Sequence, residues 1–261
     1  MVLGLFGSKK KSSASEWKGS PGKRLYAIGD VHGCFNEMMS LLAAIESDHA
    51  ARPEKQCIIV FLGDLVDRGP HSSRVLEYLV RTPPQFATTY CLLGNHEEMM
   101  LRILRGESEL IQSWLEYGGR ECVESYGLMP EMLHGQTDEA VQLMFRKRVP
   151  DSHIELLSKC VESIRFGSYL LVHAGVDPDT PLDDQDGRQL RWIREPFLSH
   201  TKPLEAMIVH GHTISNEVVR LPHRIGVDTG AYQPGGKLSA VRIEDAEIEV
   251  LSAQNMASTV S

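Results

Sequence analysis

The stretch Gly63-Asp64-Leu65-Val66-Asp67-Arg68-Gly69 decides how this chain is read. It follows Cys57-Ile58-Ile59-Val60-Phe61-Leu62, a near-continuous apolar run. Such a run reads as a strand buried on both faces, as in a parallel sheet. Pro70 then opens a helical pattern carrying Val75, Leu76, Leu79 and Val80, which Pro83-Pro84 ends. The same order of strand, motif and helix occurs on either side. Arg24-Leu25-Tyr26-Ala27-Ile28 leads into Gly29-Asp30-Val31-His32-Gly33. A helix follows from Cys34 to about His49, with Met38, Leu41, Leu42 and Ile45 on one face. A strand from Ala87 to Leu93 leads into Gly94-Asn95-His96-Glu97 and a helix from Asn95 to about Leu104. The three motifs therefore fall at the carboxyl ends of parallel strands, where open α/β sheets place their sites.

Beyond these repeats of pattern the character changes. Between about residues 106 and 164, Trp114, Leu115, Tyr117, Val123, Tyr126, Val141, Phe145 and Leu157 recur at helical spacings among many charged residues. This predicts a mostly helical insertion, with His134 and His153 on its surface. Tyr169-Leu170-Leu171-Val172 reads as a strand ending at His173-Ala174-Gly175, and Ala206-Met207-Ile208-Val209 as another ending at His210-Gly211-His212-Thr213. The short alternating runs that follow, to Val250, predict antiparallel strands. Asp228-Thr229-Gly230-Ala231 among them predicts a turn beside the site, with no chemistry assigned. Residues 1–22, rich in Ser, Lys and Gly without periodicity, read as a flexible tail. Residues 23–261 then form the folded domain.

Composition excludes several classes. A chain of 261 residues with 42% hydrophobic and 24% charged residues has the balance of a globular protein. A formal net charge of -8 opposes bulk nucleic-acid binding, which needs a basic face. It leaves a bound cation as the attractor for an anionic substrate. No apolar run reaches the length of a membrane span. The start, Val2-Leu3-Gly4-Leu5-Phe6 before Lys9-Lys10-Lys11, has the wrong order and size for a secretory signal. Five cysteines without paired spacing read as reduced thiols in a cytoplasmic protein.

The motif residues share one chemistry. Asp30, His32, Asp64, Asn95, His173 and His212 offer oxygen and nitrogen donors suited to hard or borderline divalent cations. Two such ions about 3.5–4 Å apart can clamp a phosphate ester and acidify a water. They need a carboxylate shared between them, which Asp64 can supply. Positive groups for the phosphoryl oxygens and an acid for the leaving oxygen complete such a site. His210 reads as a structural neighbour, and the acidic loop from Asp177 to Asp186 as solvated, since it lacks the spacing of a calcium loop.

With those five motifs in order, the chain resembles bacterial members of the phosphoprotein phosphatase family, the metal-dependent serine/threonine phosphatases on the calcineurin-like metallophosphoesterase fold. The resemblance covers roughly residues 24 to 231. It implies an α/β architecture, a two-sheet β-sandwich flanked by helices. It implies that Asp30, His32 and Asp64 hold one metal, and Asp64, Asn95, His173 and His212 the other. Manganese is the family's first choice, with iron or zinc as alternatives. Arg68 and Arg194 would grip the phosphoryl oxygens, with Arg191 a competitor for the second place. His96 would protonate the leaving alkoxide, supported by Asp67, after in-line attack of a metal-bound hydroxide.

Three functions remain open on this reading. A phosphatase acting on phosphoserine and phosphothreonine in proteins or peptides comes first, because Asp67 is acidic. A symmetrical diadenosine tetraphosphatase is the alternative; that group resembles this chain but typically lacks an acidic residue at the position of Asp67. A metal-free binding scaffold would show lost ligands, and none is lost.

Overall fold

The computed structural model describes residues 17–254. Most of the expected tail, residues 1–16, lies outside the described residues. Its last part does not hang free: Trp17 packs against the core between the sheets, and the Gly19 amide donates to the Asp245 carbonyl at 2.7 Å.

The three predicted strands form β1 (Lys23–Ile28), β2 (Gln56–Phe61) and β3 (Thr88–Cys91), paired side by side in parallel. Each is followed by its helix: α1 (Phe35–Ala50), α2 (Ser72–Arg81) and α3 (Asn95–Leu104). A helical segment then intervenes, with α4 (Ile111–Trp114), α5 (Arg120–Ser125), α6 (Pro130–Leu133), α7 (Asp138–Arg148) and α8 (Asp151–Ser158). The second half gives β4 (Ser163–Phe166), β5 (Tyr169–Val172), α9 (Gly187–Trp192), β6 (Met207–His210), β7 (Val219–Arg220), β8 (Arg224–Gly226), β9 (Lys237–Glu244) and β10 (Glu247–Gln254). The strands make two sheets, ordered β10-β9-β1-β2-β3 and β4-β5-β6-β8-β7.

Successive side chains on a strand point to opposite faces, and here both faces are covered. Leu25, Ala27, Ile58 and Val60 meet Tyr169, Leu171, Met207 and Val209 of the other sheet. Their neighbours Tyr26, Ile28, Ile59 and Phe61 turn the other way, under Met38, Leu41, Val75 and Met100 of the helices. That is why the first two strands read as unbroken apolar runs. The outer face of the second sheet is closed by Val176, Leu190 and Phe197 packed on Leu170, Val172 and Ile208. Truncating a buried Leu or Ile to Ala costs about 2–5 kcal/mol, so the loops at the strand ends hang from a stiff frame.

The helical insertion is tied to this frame. Thr137 caps α7 by accepting the Ala140 amide, and acidic Asp138 and Glu139 open the helix that Arg146, Lys147 and Arg148 close. Gln142 Nε2 donates to the Ile103 carbonyl at 2.9 Å, joining α7 to α3. His134 is exposed, as the sequence predicts, but His153 is not. Its ring is 2% exposed, 2.8 Å from the Tyr126 hydroxyl and 2.9 Å from Glu77, so it braces the insertion against α2. The insertion ends where Val161 pairs in parallel with Leu92, before β4 and slightly earlier than predicted.

One strand differs in direction from the prediction. β7, β9 and β10 are antiparallel to their neighbours, but β8 runs parallel to β6. Three residues are too few to carry a readable period. The consequence is large, because the carboxyl end of β8 points the same way as those of β5 and β6 and delivers Asp228 to the site.

Candidate metal centre and active site

The loops after β1, β2, β3, β5, β6 and β8 converge at one edge of the sandwich. Six non-glycine residues among those described have φ in the left-handed region, and five are His32, Asp64, Asp67, Arg68 and His212. Such conformations cost about 1–3 kcal/mol each and persist only where surroundings over-determine them. Glu97 supplies much of that restraint. Its buried carboxylate accepts the backbone amides of Asp64 and Leu65 at 2.7 Å, Gly94 at 3.0 Å and Val66 at 3.2 Å. The glycines allow close approach: a Cβ at Gly94 would overlap Asp64 Oδ1, and one at Gly211 would overlap Asp30 Oδ1.

Asp64 stands at the centre. Its oxygens lie 3.3 Å from His173 Nε2, 3.6 Å from His32 Nε2 and 3.9 Å from His96 Nε2. Donor atoms of Asp64, His173 and His212 lie within 4.8 Å of one another, and so do those of His32, Asp64 and His96. Asn95 Oδ1 is 3.0 Å from His173 Nε2. The carboxylate of Asp30 accepts the His212 amide at 3.0 Å. The six residues predicted as ligands are thus together and buried.

The donor set suits divalent cations. The Val66 carbonyl lies 2.8 Å from His32 Nδ1 and the Leu62 carbonyl 2.8 Å from His173 Nδ1. Each carbonyl engages Nδ1 and so turns Nε2 toward Asp64 as the free ligand atom of the ring. His212 Nε2 is buried with no hydrogen-bond partner. Asp30, Asp64, Glu97 and Asp228 crowd this pocket, while no lysine is buried among the described residues. Burial, then Asp228 and Asp64, push the Asp30 carboxyl well above its ordinary range. Burial alone would also raise Asp64, but His173 and His96 outweigh it and hold that carboxyl low. Burial brings His32 and His212 down to about 3, keeping both rings neutral and able to ligate. Two divalent cations held here would clamp a phosphate ester and acidify a water.

The remaining groups bring a proton donor and positive charge beside Asp64. His96 Nδ1 is 2.6 Å from Asp67 Oδ2. Burial disfavours the imidazolium, but Asp64 and Asp67 prevail and raise His96 to about 9, so it carries a proton at neutral pH. Arg68 Nη2 stands 3.4 Å from His96 Nε2. A phosphoryl oxygen between those two cationic groups would pair with both. Arg194 lines the same cleft, of about 600 Å³. Arg191 is engaged elsewhere: its Nε donates to Glu98 at 2.9 Å and its Nη1 to Glu162 at 2.6 Å.

Four residues at the site have no role assigned from the sequence, although Asp228 is expected in a turn beside it. Glu97 is visible in the third motif but reads only as the start of a helix. Asp228 lines the cleft, and burial is the main force raising it to about 6. Tyr232 binds Arg68 through its hydroxyl and lies under the guanidinium at 4.8 Å. Trp114, from the insertion, donates its indole N–H to Asp67 Oδ2 at 2.7 Å, the oxygen that also holds His96. The Gly118 carbonyl accepts the Arg68 amide at 2.7 Å. The insertion therefore fixes two of the three working residues of the central loop. Trp114→Phe keeps the packing but loses one hydrogen bond to a charged group, worth about 1.5–3 kcal/mol. We expect kcat on a phosphothreonine peptide to fall about tenfold with KM little changed, and thermal melting to confirm a native fold.

His210 is a support, not a ligand. Its Nδ1 is 2.9 Å from the Gly211 carbonyl and its Nε2 accepts Arg224 Nη1 at 3.2 Å, so the ring must be neutral. Burial, then Arg224, lowers it to about 3. The unfolded chain takes up this proton below about pH 6.5 and the folded chain does not, so stability rises with pH between those values. His32 and His212 act in the same direction, and Asp30 and Asp228 in the opposite one. His210→Gln should therefore flatten the gain in urea midpoint between pH 5 and 7. An unchanged slope would place the proton uptake elsewhere.

The sequence and fold can now be set beside known proteins. The chain is similar to the asymmetrical bis(5'-nucleosyl)-tetraphosphatase PrpE of Bacillus cereus (strain Q1), at 27% identity over 85% of this chain and 91% of that one. The PrpE of Bacillus mycoides (strain KBAB4) is 28% identical over 84% of this chain and 90% of its own. Among solved structures, a candidate diadenosine tetraphosphatase superposes with a TM-score of 0.60 at 22% identity, covering 92% of this chain and 100% of that chain. A protein serine/threonine phosphatase from Saccharomyces cerevisiae superposes with a TM-score of 0.53 at 16% identity, covering 90% and 81%. Such identities speak for the fold alone. A sequence profile of the calcineurin-like phosphoesterases matches residues 23–244, and the chain belongs to that family.

Proposed function

We propose that this metal-dependent phosphoesterase hydrolyses dinucleoside polyphosphates, cleaving diadenosine tetraphosphate asymmetrically. Water adds to a phosphorus, the bridging P–O bond breaks, and the leaving nucleotide keeps the bridging oxygen. Asp30, His32, Asp64, Asn95, His173 and His212 hold the cations, Arg68 and Arg194 bind the phosphate oxygens, and His96 delivers a proton as the bond breaks. The observation that carries the substrate class is that the curated relatives spanning 84–85% of this chain are named for this reaction. A cleft of about 600 Å³ has room for more than one phosphoryl group.

This reverses the order expected from Asp67. The Asp67–His96 pair supplies a proton to a leaving oxygen, and a nucleotide phosphate can receive it as well as an alkoxide can. The pair therefore ranks leaving groups without selecting proteins. It does support a second reading, hydrolysis of phosphoserine or phosphothreonine peptides, because an alkoxide needs that proton most. Parallel assays with manganese test the choice. We expect kcat/KM for diadenosine tetraphosphate to exceed that for a phosphothreonine peptide at least about tenfold (1.4 kcal/mol in transition-state binding), with ATP and AMP as products. Two ADP would mean symmetrical cleavage, and preference for the peptide would overturn the proposal.

A further inference from the structure

Outside the metal centre, the cleft has walls that phosphate chemistry does not explain. Tyr117, Trp192 and Ile214 are large apolar side chains exposed to 73%, 39% and 38%, and all three line it. Exposed aromatic surface gathered in one concave site marks recognition of an apolar or aromatic group.

Two of these side chains lie next to cleft arginines in the chain or through a backbone contact, Tyr117 by Arg68 and Trp192 by Arg194. Tyr117 precedes Gly118, whose carbonyl holds the Arg68 amide. It projects from a kink in the insertion, where Tyr117 and Gly118 leave helical geometry, with Gly118 at φ 110°. Trp192 lies two residues before Arg194. Its indole N–H donates to Glu98 at 2.7 Å, and Glu98 is braced by Arg191, which is itself paired with Glu162. The indole thus has no unmet donor and little freedom, and it offers the cleft an aromatic surface. Arg191, idle in phosphate binding, acquires a role as the brace.

We propose that Trp192 and Tyr117 form a stacking site for the nucleobase of a dinucleoside polyphosphate whose phosphates lie between Arg68 and Arg194. The inference rests on the substrate reading above and adds the residues that would recognise the nucleoside. Base stacking on an aromatic side chain tolerates any base and needs no directed hydrogen bond.

The test compares a ligand with bases and one without. The KM of diadenosine tetraphosphate is measured for wild type, Trp192→Ala, Trp192→Phe and Tyr117→Ala, beside the Ki of inorganic tripolyphosphate as a competitor. Removing a stacking ring should raise the dinucleotide KM about tenfold more than the tripolyphosphate Ki, and Trp192→Phe should keep most of the affinity. Equal losses on both ligands, or none on either, would overturn the stacking site while leaving dinucleotide hydrolysis standing. A loss confined to a phosphotyrosine peptide would reassign the platform to an aromatic amino acid. Wild-type enzyme that does not cleave the dinucleotide would remove the substrate reading and this inference together.

Discussion

Asp64→Asn should lower kcat by about 10³-fold or more on every phosphate substrate, with the protein still folded. The side chain is only 2% exposed and sits at the junction of two donor clusters, with His32 on one side and His173 and His212 on the other. Asparagine keeps its shape but loses the charge. It also replaces one acceptor oxygen with an N–H₂, which has no lone pair to offer a second cation. The variant should therefore bind less metal, and metal content per chain measured beside kcat separates loss of ligation from loss of fold. Activity near wild type would remove Asp64 from the centre of the site.

His96→Asn gives the second large effect, and its size depends on the leaving group. A positioned acid is worth about 10²–10⁴-fold when the departing oxygen is strongly basic. On a phosphothreonine peptide the variant should lose that full amount. On p-nitrophenyl phosphate, whose phenolate departs unaided, the loss should be at least about tenfold smaller. Diadenosine tetraphosphate, with a nucleotide leaving group, should fall nearer the second. An equal loss on all three would mean that His96 acts as a ligand or a fixed charge and transfers no proton.

The parts of this molecule that were legible in the sequence share a physical cause. Strands β1 and β2 are covered on both faces, so their apolar runs end abruptly at Gly-Asp pairs, and the motif loops announce themselves. Asp30, His32, Asp64, Asn95, His173 and His212 follow such ends, which is why one pattern collected them all. Asp228 follows a strand as well, but β8 is three residues long and its parallel pairing leaves no periodic trace. Trp114 and Tyr232 act through contacts 47 and 164 residues away in the chain, and nothing local marks either. His153 looked like a surface histidine because its helix is short and polar; burial came from Tyr126 and Glu77 on other elements. The choice between substrates was least legible. A carboxylate paired with His96 bears on a leaving group's proton and does not by itself distinguish a dinucleotide from a phosphopeptide.

The central claim is a two-cation site built on Asp64. Chelator-stripped protein titrated with manganese, with bound metal per chain and diadenosine tetraphosphate hydrolysis followed together, tests it most directly. The account predicts two bound equivalents, negligible turnover in stripped protein, and activity that appears as the second equivalent binds. Full turnover without metal, or saturation at one equivalent with full activity, would contradict it.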